Sequence, residues 1–156
     1  MFARIVLSTV AAAMAAGLVW QMAEAQQKVE PKGVVAYRIA VMRTLGAQML
    51  AIKTALTETP EFEDNLVWHA QIVHDASKLL VDLFPKGSNE APSAALPVVW
   101  EKWSEFEAAA KRLEELSAKF VEVAKNGDPQ ATLAAFGQLG KEGCSSCHDT
   151  FRKKQG

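Results

Sequence analysis

Residues 144–148 read Cys-Ser-Ser-Cys-His, close to the C-terminus of this 156-residue chain. On a helix, side chains three positions apart share a face, so Cys144 and Cys147 point the same way and His148 follows directly. This is the C-x-x-C-H pattern of covalent haem attachment, in which the two thiols form thioethers with the haem vinyl groups. The histidine is then the proximal iron ligand. The motif therefore predicts one haem c, covalently attached through Cys144 and Cys147, with His148 on the iron.

Three other interpretations of the motif are weaker. A thioredoxin-like pair opens a helix within a βαβ pattern, whereas this pair lies near the end of the last predicted helix. A zinc site needs four ligands, and His69 and His74 are far away in sequence. A disulfide would suit an exported protein, but between Cys144 and Cys147 it would close a very small loop and stabilise little.

The first 25 residues have the pattern of a secretory signal peptide. A short positive segment (1–4) precedes an apolar, alanine-rich segment (5–20), and Ala23-Glu24-Ala25 is a cleavage triplet. The alternative is a retained membrane anchor, because the apolar stretch approaches the length of a membrane span. We expect cleavage, a mature domain of residues 26–156 in the bacterial periplasm, and no stable membrane insertion afterwards. The formal net charge of −1 lacks the excess of positive charge that is typical of nucleic-acid-binding proteins.

Apolar residues at alternating steps of three and four predict four amphipathic helices in the mature domain. Their stripes begin at Met42, Phe62, Val99 and Leu133, and proline or glycine marks the breaks near residues 60, 85, 97 and 127–129. We expect Trp68, Trp100 and Trp103 to be packing residues. The fold predicted is all-α, an antiparallel up-down-up-down four-helix bundle with a covalent haem near the C-terminus. The last helix contains Gly137, Gly140 and Gly143, which predict either a flat haem against the backbone or close helix packing.

With these features the chain resembles the cytochrome c′ family, including its low-spin branch, cytochrome c-556. The resemblance rests on Tyr37-Arg38 followed by Met42, on Leu83-Phe84-Pro85, on Leu96-Pro97 with Trp100, and on residues 136–152 around the haem motif. It implies that Arg38 lies near a haem propionate, where guanidinium and carboxylate form a strong pair. Two departures leave other propionate contacts unassigned: Ile39 stands where many members have glutamine, and Ala94 and Ala95 stand where an acidic residue is common.

The resemblance also implies that Met42 faces the second axial position of the iron. Five-coordinate, gas-binding members usually carry leucine or another bulky non-ligand there, whereas low-spin members carry methionine, whose thioether raises the reduction potential. Met49, roughly 10 Å further along the helix, cannot reach the same iron. His74 is the rival ligand but lies off the apolar seam, where we expect a solvated side chain, and His69 is best explained as a satisfied core or interface histidine.

These inferences predict a periplasmic electron carrier with His148 and Met42 on a low-spin iron. The alternative is a five-coordinate protein that binds nitric oxide or carbon monoxide, with Met42 only covering the iron. We expect no enzyme activity, because nothing in the distal stripe resembles an acid–base pair for peroxidase-like catalysis. The expected partners are redox proteins, and a homodimer is an expectation from the fold type alone.

Overall fold

Residues 30–154 are described in the computed structural model of the chain, and they form a helical bundle. The signal peptide predicted for residues 1–25 lies outside the described residues. The helices are α1 (Gly33–Thr57), α2 (Leu66–Ser77), α3 (Val98–Glu101), α4 (Trp103–Lys125), α5 (Pro129–Gln138) and α6 (Ser146–Phe151). Two 3₁₀ turns, Pro60–Asn65 and Val81–Leu83, flank α2, and a π-helical segment, Leu139–Ser145, joins α5 to α6.

Adjacent segments of the bundle run antiparallel. The last segment of the bundle comprises α5, the π-helical segment and α6. Arg112 of α4 pairs with Glu142 of this segment, and Phe120 of α4 packs on Phe136, so residue numbers rise along α4 as they fall along the last segment. The same reversal relates the first and second segments, in the pairs Arg38–Leu83 and Gln48–His69. The predicted up-down-up-down bundle is confirmed.

Local sequence signals set the start of the last segment. Gly127 takes φ +68°, a conformation that glycine adopts at little cost. Asp128 then caps α5, its carboxylate accepting a hydrogen bond from the Ala131 amide at 3.0 Å, and Pro129 occupies the first turn.

The buried apolar residues form two clusters. The central cluster fills the middle of the bundle and contains Leu45, Ile52, Ala55, Leu66, Ala70, Val73, Leu80, Ala110, Leu113, Leu116, Phe120, Val121 and Leu139. The motif-end cluster lies beside α6 and contains Leu83, Phe84, Ala95, Val99, Phe106 and Phe151. By length and composition α1 is apolar enough to cross a membrane, but its Leu45, Ile52 and Ala55 belong to the central cluster.

Three of the predicted helices are interrupted. The second begins as a 3₁₀ turn with Phe62 exposed, so its α-helical part starts only at Leu66. The third breaks at Lys102 (φ −117°, ψ 49°), and the Trp100 indole on its first piece donates to the Phe84 carbonyl at 3.0 Å. The fourth changes to π-helical geometry from residue 139. The apolar pattern predicts each of these helices as continuous, and at the third the tertiary hydrogen bond of Trp100 lies next to the break.

The prediction that Trp68 is a packing residue is wrong. Its side chain is 64% exposed, and its ring lies edge-on to that of the neighbouring His69, at 5.3 Å between centroids. The buried face of α2 carries Leu66, Ala70 and Val73, and Trp68 is nearly opposite that face on a 3.6-residue turn.

Candidate haem site

The motif lies where the π-helical segment passes into α6. Cys144 belongs to the π-helical segment, while Cys147 and His148 lie in the first turn of α6. A Cβ added to Gly143 would lie 2.8 Å from Leu113 Cδ1 and 3.3 Å from Leu139 Cδ1. A larger residue here would force the Leu113 side chain to move, so Gly143 permits the close packing of α4 on the motif without rearrangement.

Both motif cysteines are free thiols and half-buried. Burial raises the pKa of the Cys144 thiol. Burial, together with neighbouring Cys144, raises the pKa of Cys147 to about 11, with a smaller opposing effect from Arg152. At neutral pH the two side chains are therefore protonated thiols.

The surroundings of His148 favour the neutral form of its imidazole. Burial and then the positive charge of Arg152 lower its pKa, and Asp149 only partly opposes them. A neutral imidazole has the free nitrogen lone pair that a metal requires. The protonation state of His148 therefore suits an axial ligand.

The three glycines of the last segment differ in their surroundings. A Cβ on Gly137 would meet nothing within 4 Å, and one on Gly140 would meet only Met49 Cε, at 4.0 Å. Gly143 is the one packed against α4. Gly137 is exposed to solvent, so a flat cofactor beside these two glycines stays a prediction, whereas close helix packing explains Gly143.

Met42 lies between the two clusters. Its half-buried side chain packs against both the central cluster and the motif-end cluster. Cys144 packs against the first of these clusters and Cys147 against the second. Met49 packs only against the central cluster. Of the two methionines on α1, Met42 is thus the one that packs against both of the clusters that the two thiols contact.

Arg38 is buried, with 4% of its surface exposed, and it is held by the segment that connects the second and third bundle helices. Its two terminal nitrogens donate to the Leu83 carbonyl, to the carbonyl and hydroxyl of Ser88, and to the Ser93 hydroxyl, at 2.6–3.0 Å. Burial lowers its pKa. Contact of Arg38 with a haem propionate stays a prediction.

The other histidines have partners within the bundle. His74 Nδ1 lies 3.2 Å from Ser117 Oγ at the contact of α2 with α4, which differs from the solvated side chain we expected. His69 Nδ1 lies 2.6 Å from Gln48 Oε1 on α1, which agrees with an interface histidine. Neither arrangement favours a role as an axial ligand.

Sequence reasoning missed two residues near the site, Ser88 and Ser93. Both are buried and both bind Arg38. They lie in a stretch rich in proline, glycine and serine, where serine is typical of any turn. No local signal distinguishes them.

The residues present fit a covalently attached haem. Two free, half-buried thiols stand three positions apart, and a half-buried histidine whose pKa is lowered follows them directly. The comparison with known families agrees, because the family model described as Cytochrome C′ matches residues 33–152. The chain belongs to the cytochrome c′ family. Proteins of this family carry one covalently attached haem c, so the predicted cofactor is confirmed.

Individual relatives place the chain within the cytochrome c′ family. A cytochrome c-556 from Agrobacterium fabrum is 31% identical over 96% of this chain and 97% of its own length. A cytochrome c-554 from Cereibacter sphaeroides is 44% identical, but the match covers 51% of this chain and 60% of that relative. A solved cytochrome c′ described as having ligand-controlled dimer dissociation superposes with a TM-score of 0.72 at 22% identity, over 81% of this chain and 98% of that one. The last likeness concerns the fold alone.

Proposed function

We propose that this protein is a periplasmic mono-haem electron carrier whose iron is ligated by His148 and Met42. Cys144 and Cys147 are the proposed thioether anchors. The observation that carries the proposal is the position of Met42, which packs against the same two clusters as the two thiols. The similarity to a cytochrome c-556 over almost the whole chain adds support.

The residues define what the site would do. Bound haem supplies reversible one-electron exchange at its iron. His148, neutral through burial and Arg152, donates a nitrogen lone pair without first losing a proton. Met42 offers a thioether, a ligand that raises the reduction potential. With both axial positions taken by the protein, no position is left for a substrate, so we propose no enzyme activity.

Gas binding at a five-coordinate iron is the second candidate. The observation that favours it is the same packing of Met42, because a methionine held among apolar side chains also serves as ordinary core filling. In that case Met42 would limit access to the iron rather than bind it. The likeness to a solved cytochrome c′ with ligand-controlled dimer dissociation concerns that protein, and gas binding here is an alternative within our proposal.

Location and partners belong to the same proposal. We infer export through the signal pattern of residues 1–25 and function in the periplasm without stable membrane insertion. Other redox proteins would exchange electrons with it, nucleic acid would not bind, and a homodimer is the assembly to test by sedimentation.

Absorption spectra of the haem-loaded protein, with and without carbon monoxide, test the proposal. We expect low-spin bands and no change under the gas for the wild type and for Met49→Leu, the control at the other methionine of α1. Met42→Leu should give high-spin bands that shift under carbon monoxide, because an axial ligand has been removed. A wild type that already responds to the gas, with Met42→Leu unchanged from it, would establish the five-coordinate alternative.

A further inference from the structure

Arg38 donates hydrogen bonds to the middle of the connecting segment 85–96. The guanidinium holds Ser88 through both its carbonyl, at 2.6 Å, and its hydroxyl, at 2.9 Å, and holds Ser93 through its hydroxyl, at 2.8 Å. These residues are 50 and 55 positions away from Arg38 in sequence. Within residues 30–154, none of the ion pairs includes Arg38. Its charge is instead stabilised by carbonyl and hydroxyl dipoles and by the Phe84 ring, whose centroid lies 4.6 Å from its Cζ.

The same segment is joined at its end to the residues that follow the haem motif. The Leu96 amide donates to the Phe151 carbonyl at 2.9 Å, and the Lys153 amide donates to the Ala94 carbonyl at 2.8 Å. These bonds flank the antiparallel bridge between Ala95 and Arg152. The C-terminal end of α6 is therefore fixed to the segment by backbone pairing.

Ser93 connects these two attachments. Its hydroxyl accepts hydrogen bonds from both Arg38 and the Ala95 amide, the latter at 3.1 Å. Ala95 is the residue that bridges to Arg152, four positions after His148. The hydrogen bonds of Ser93 and of the neighbouring backbone at Ala94 and Leu96 thus connect α1 to the last turn of the helix that carries His148.

Aromatic packing makes a second connection between the same ends. Phe84, below the guanidinium, contacts Phe106 edge-on at 4.6 Å between centroids, and Phe106 contacts Phe151 at 5.5 Å. Phe151 is the last residue of α6. A change in Arg38 therefore reaches α6 by packing as well as by hydrogen bonds.

We propose that Arg38, Ser88 and Ser93 form a clamp that holds the segment 85–96 against α6 and thereby fixes the position and ring orientation of His148. These are positioning residues, since none of them contacts the imidazole. The inference rests on His148 being the haem ligand, as in the proposed function. It does not depend on Met42.

The test uses the haem-loaded full chain and two readouts: the hyperfine-shifted haem methyl resonances of the ferric protein, and hydrogen exchange at the Leu96 and Lys153 amides. The variants are Arg38→Lys, Ser88→Ala and Ser93→Ala. Matched controls are Arg43→Lys, at an exposed arginine on α1, and Ser104→Ala, at an exposed serine on α4. Lysine keeps the charge but lacks the planar fork that serves several acceptors at once.

We expect all three clamp variants to speed exchange at Leu96 and Lys153 by about tenfold or more, because the local opening becomes easier while the rest of the bundle is intact. The haem methyl resonances should shift in the same three variants and not in the controls, because they report the orientation of the axial ligands, and Ser88 and Ser93 lie on the segment next to α6 rather than on α1, which carries Met42. A clamp that only stabilised the fold would speed exchange across the whole bundle and leave those resonances unchanged, which would overturn the proposal.

Contact between Arg38 and a haem propionate gives a different result. In that case Arg38→Lys alone would alter the resonances, while Ser88→Ala and Ser93→Ala would resemble the controls, and the clamp would again be refuted. Failure of the proposed methionine ligation is seen separately, as a high-spin spectrum of the wild type, so the two proposals can fail independently.

Discussion

The contact of Gly143 with α4 gives the sharpest prediction for stability. In Gly143→Ala the new Cβ would stand 2.8 Å from Leu113 Cδ1, whereas ordinary contact begins at 3.4 Å. Leu113 is 5% exposed and packed in the central cluster, so its side chain has little room to move. Overpacking of this kind costs about 1–3 kcal/mol. The gain in helix propensity over glycine offsets about 1 kcal/mol, which leaves a net loss of about 0–2 kcal/mol.

The same substitution is then made in the Leu113→Val protein, because valine lacks the Cδ1 atom that obstructs the new methyl group. Alone, Leu113→Val should cost about 1 kcal/mol. Two atoms then remain near the new Cβ: Leu139 Cδ1 at 3.3 Å, from which a shift of about a tenth of an ångström restores ordinary contact, and the Cα of residue 113 at 3.6 Å. Gly143→Ala should therefore become neutral or stabilising in the Leu113→Val protein, and the coupling energy should be about 1–3 kcal/mol.

The wild type, the two single variants and the double variant form a double-mutant cycle. Thermal unfolding of the haem-loaded ferric proteins, followed by circular dichroism, measures it, and the midpoint temperature should shift by roughly 4 °C for each kcal/mol. Leu79→Val is the matched control, since Leu79 is 41% exposed and should add to Gly143→Ala within about 0.5 kcal/mol. If Gly143→Ala costs the same in the Leu113→Val background as in the wild type, this contact does not set the packing of α4 on the motif.

Three further outcomes are expected. Asp128→Ala should destabilise the protein by about 1 kcal/mol in urea unfolding, because the cap to the Ala131 amide is lost, while Asp128→Asn should stay near the wild type. Ser117→Ala should cost about 1–3 kcal/mol in the same assay, because a fully buried hydroxyl with several partners disappears, and an equal loss in the exposed Ser104→Ala would contradict this account. In the apoprotein at pH 8, iodoacetamide should modify Cys147 roughly a hundredfold more slowly than after unfolding, because a pKa of about 11 leaves little thiolate; equal rates would show that the thiol is not buried.

Much of the fold is readable from local signals. The apolar stripes predict four helical segments, and Asp128-Pro129 after Gly127 marks the start of the last one, where the structure has both the cap and the positive φ. Such signals act within one helical turn, so they survive in any tertiary context. The exposed Trp68 and the break at Lys102 were not predicted, because periodicity alone does not say which neighbour a face will meet.

The candidate site also has some features that local sequence predicts and others that depend on tertiary packing. The spacing of Cys144, Cys147 and His148 predicts covalent haem chemistry without any knowledge of the fold, since three residues within one helical turn are enough to present it. The π-helical geometry before the motif has no such local signal, and the packing of Gly143 against Leu113 depends on how closely α4 approaches.

The sequence by itself determined a helical bundle and a covalently attached haem, and it predicted the groups that would attach and ligate that haem, because these features follow from spacings of three or four residues. Only the tertiary structure decided what Arg38 holds. Its partners are 45 to 55 positions away, in a stretch whose serines look like any turn residues. Hydrogen bonds across that separation exist only once the bundle has closed, since chain folding, not local preference, brings the two segments together.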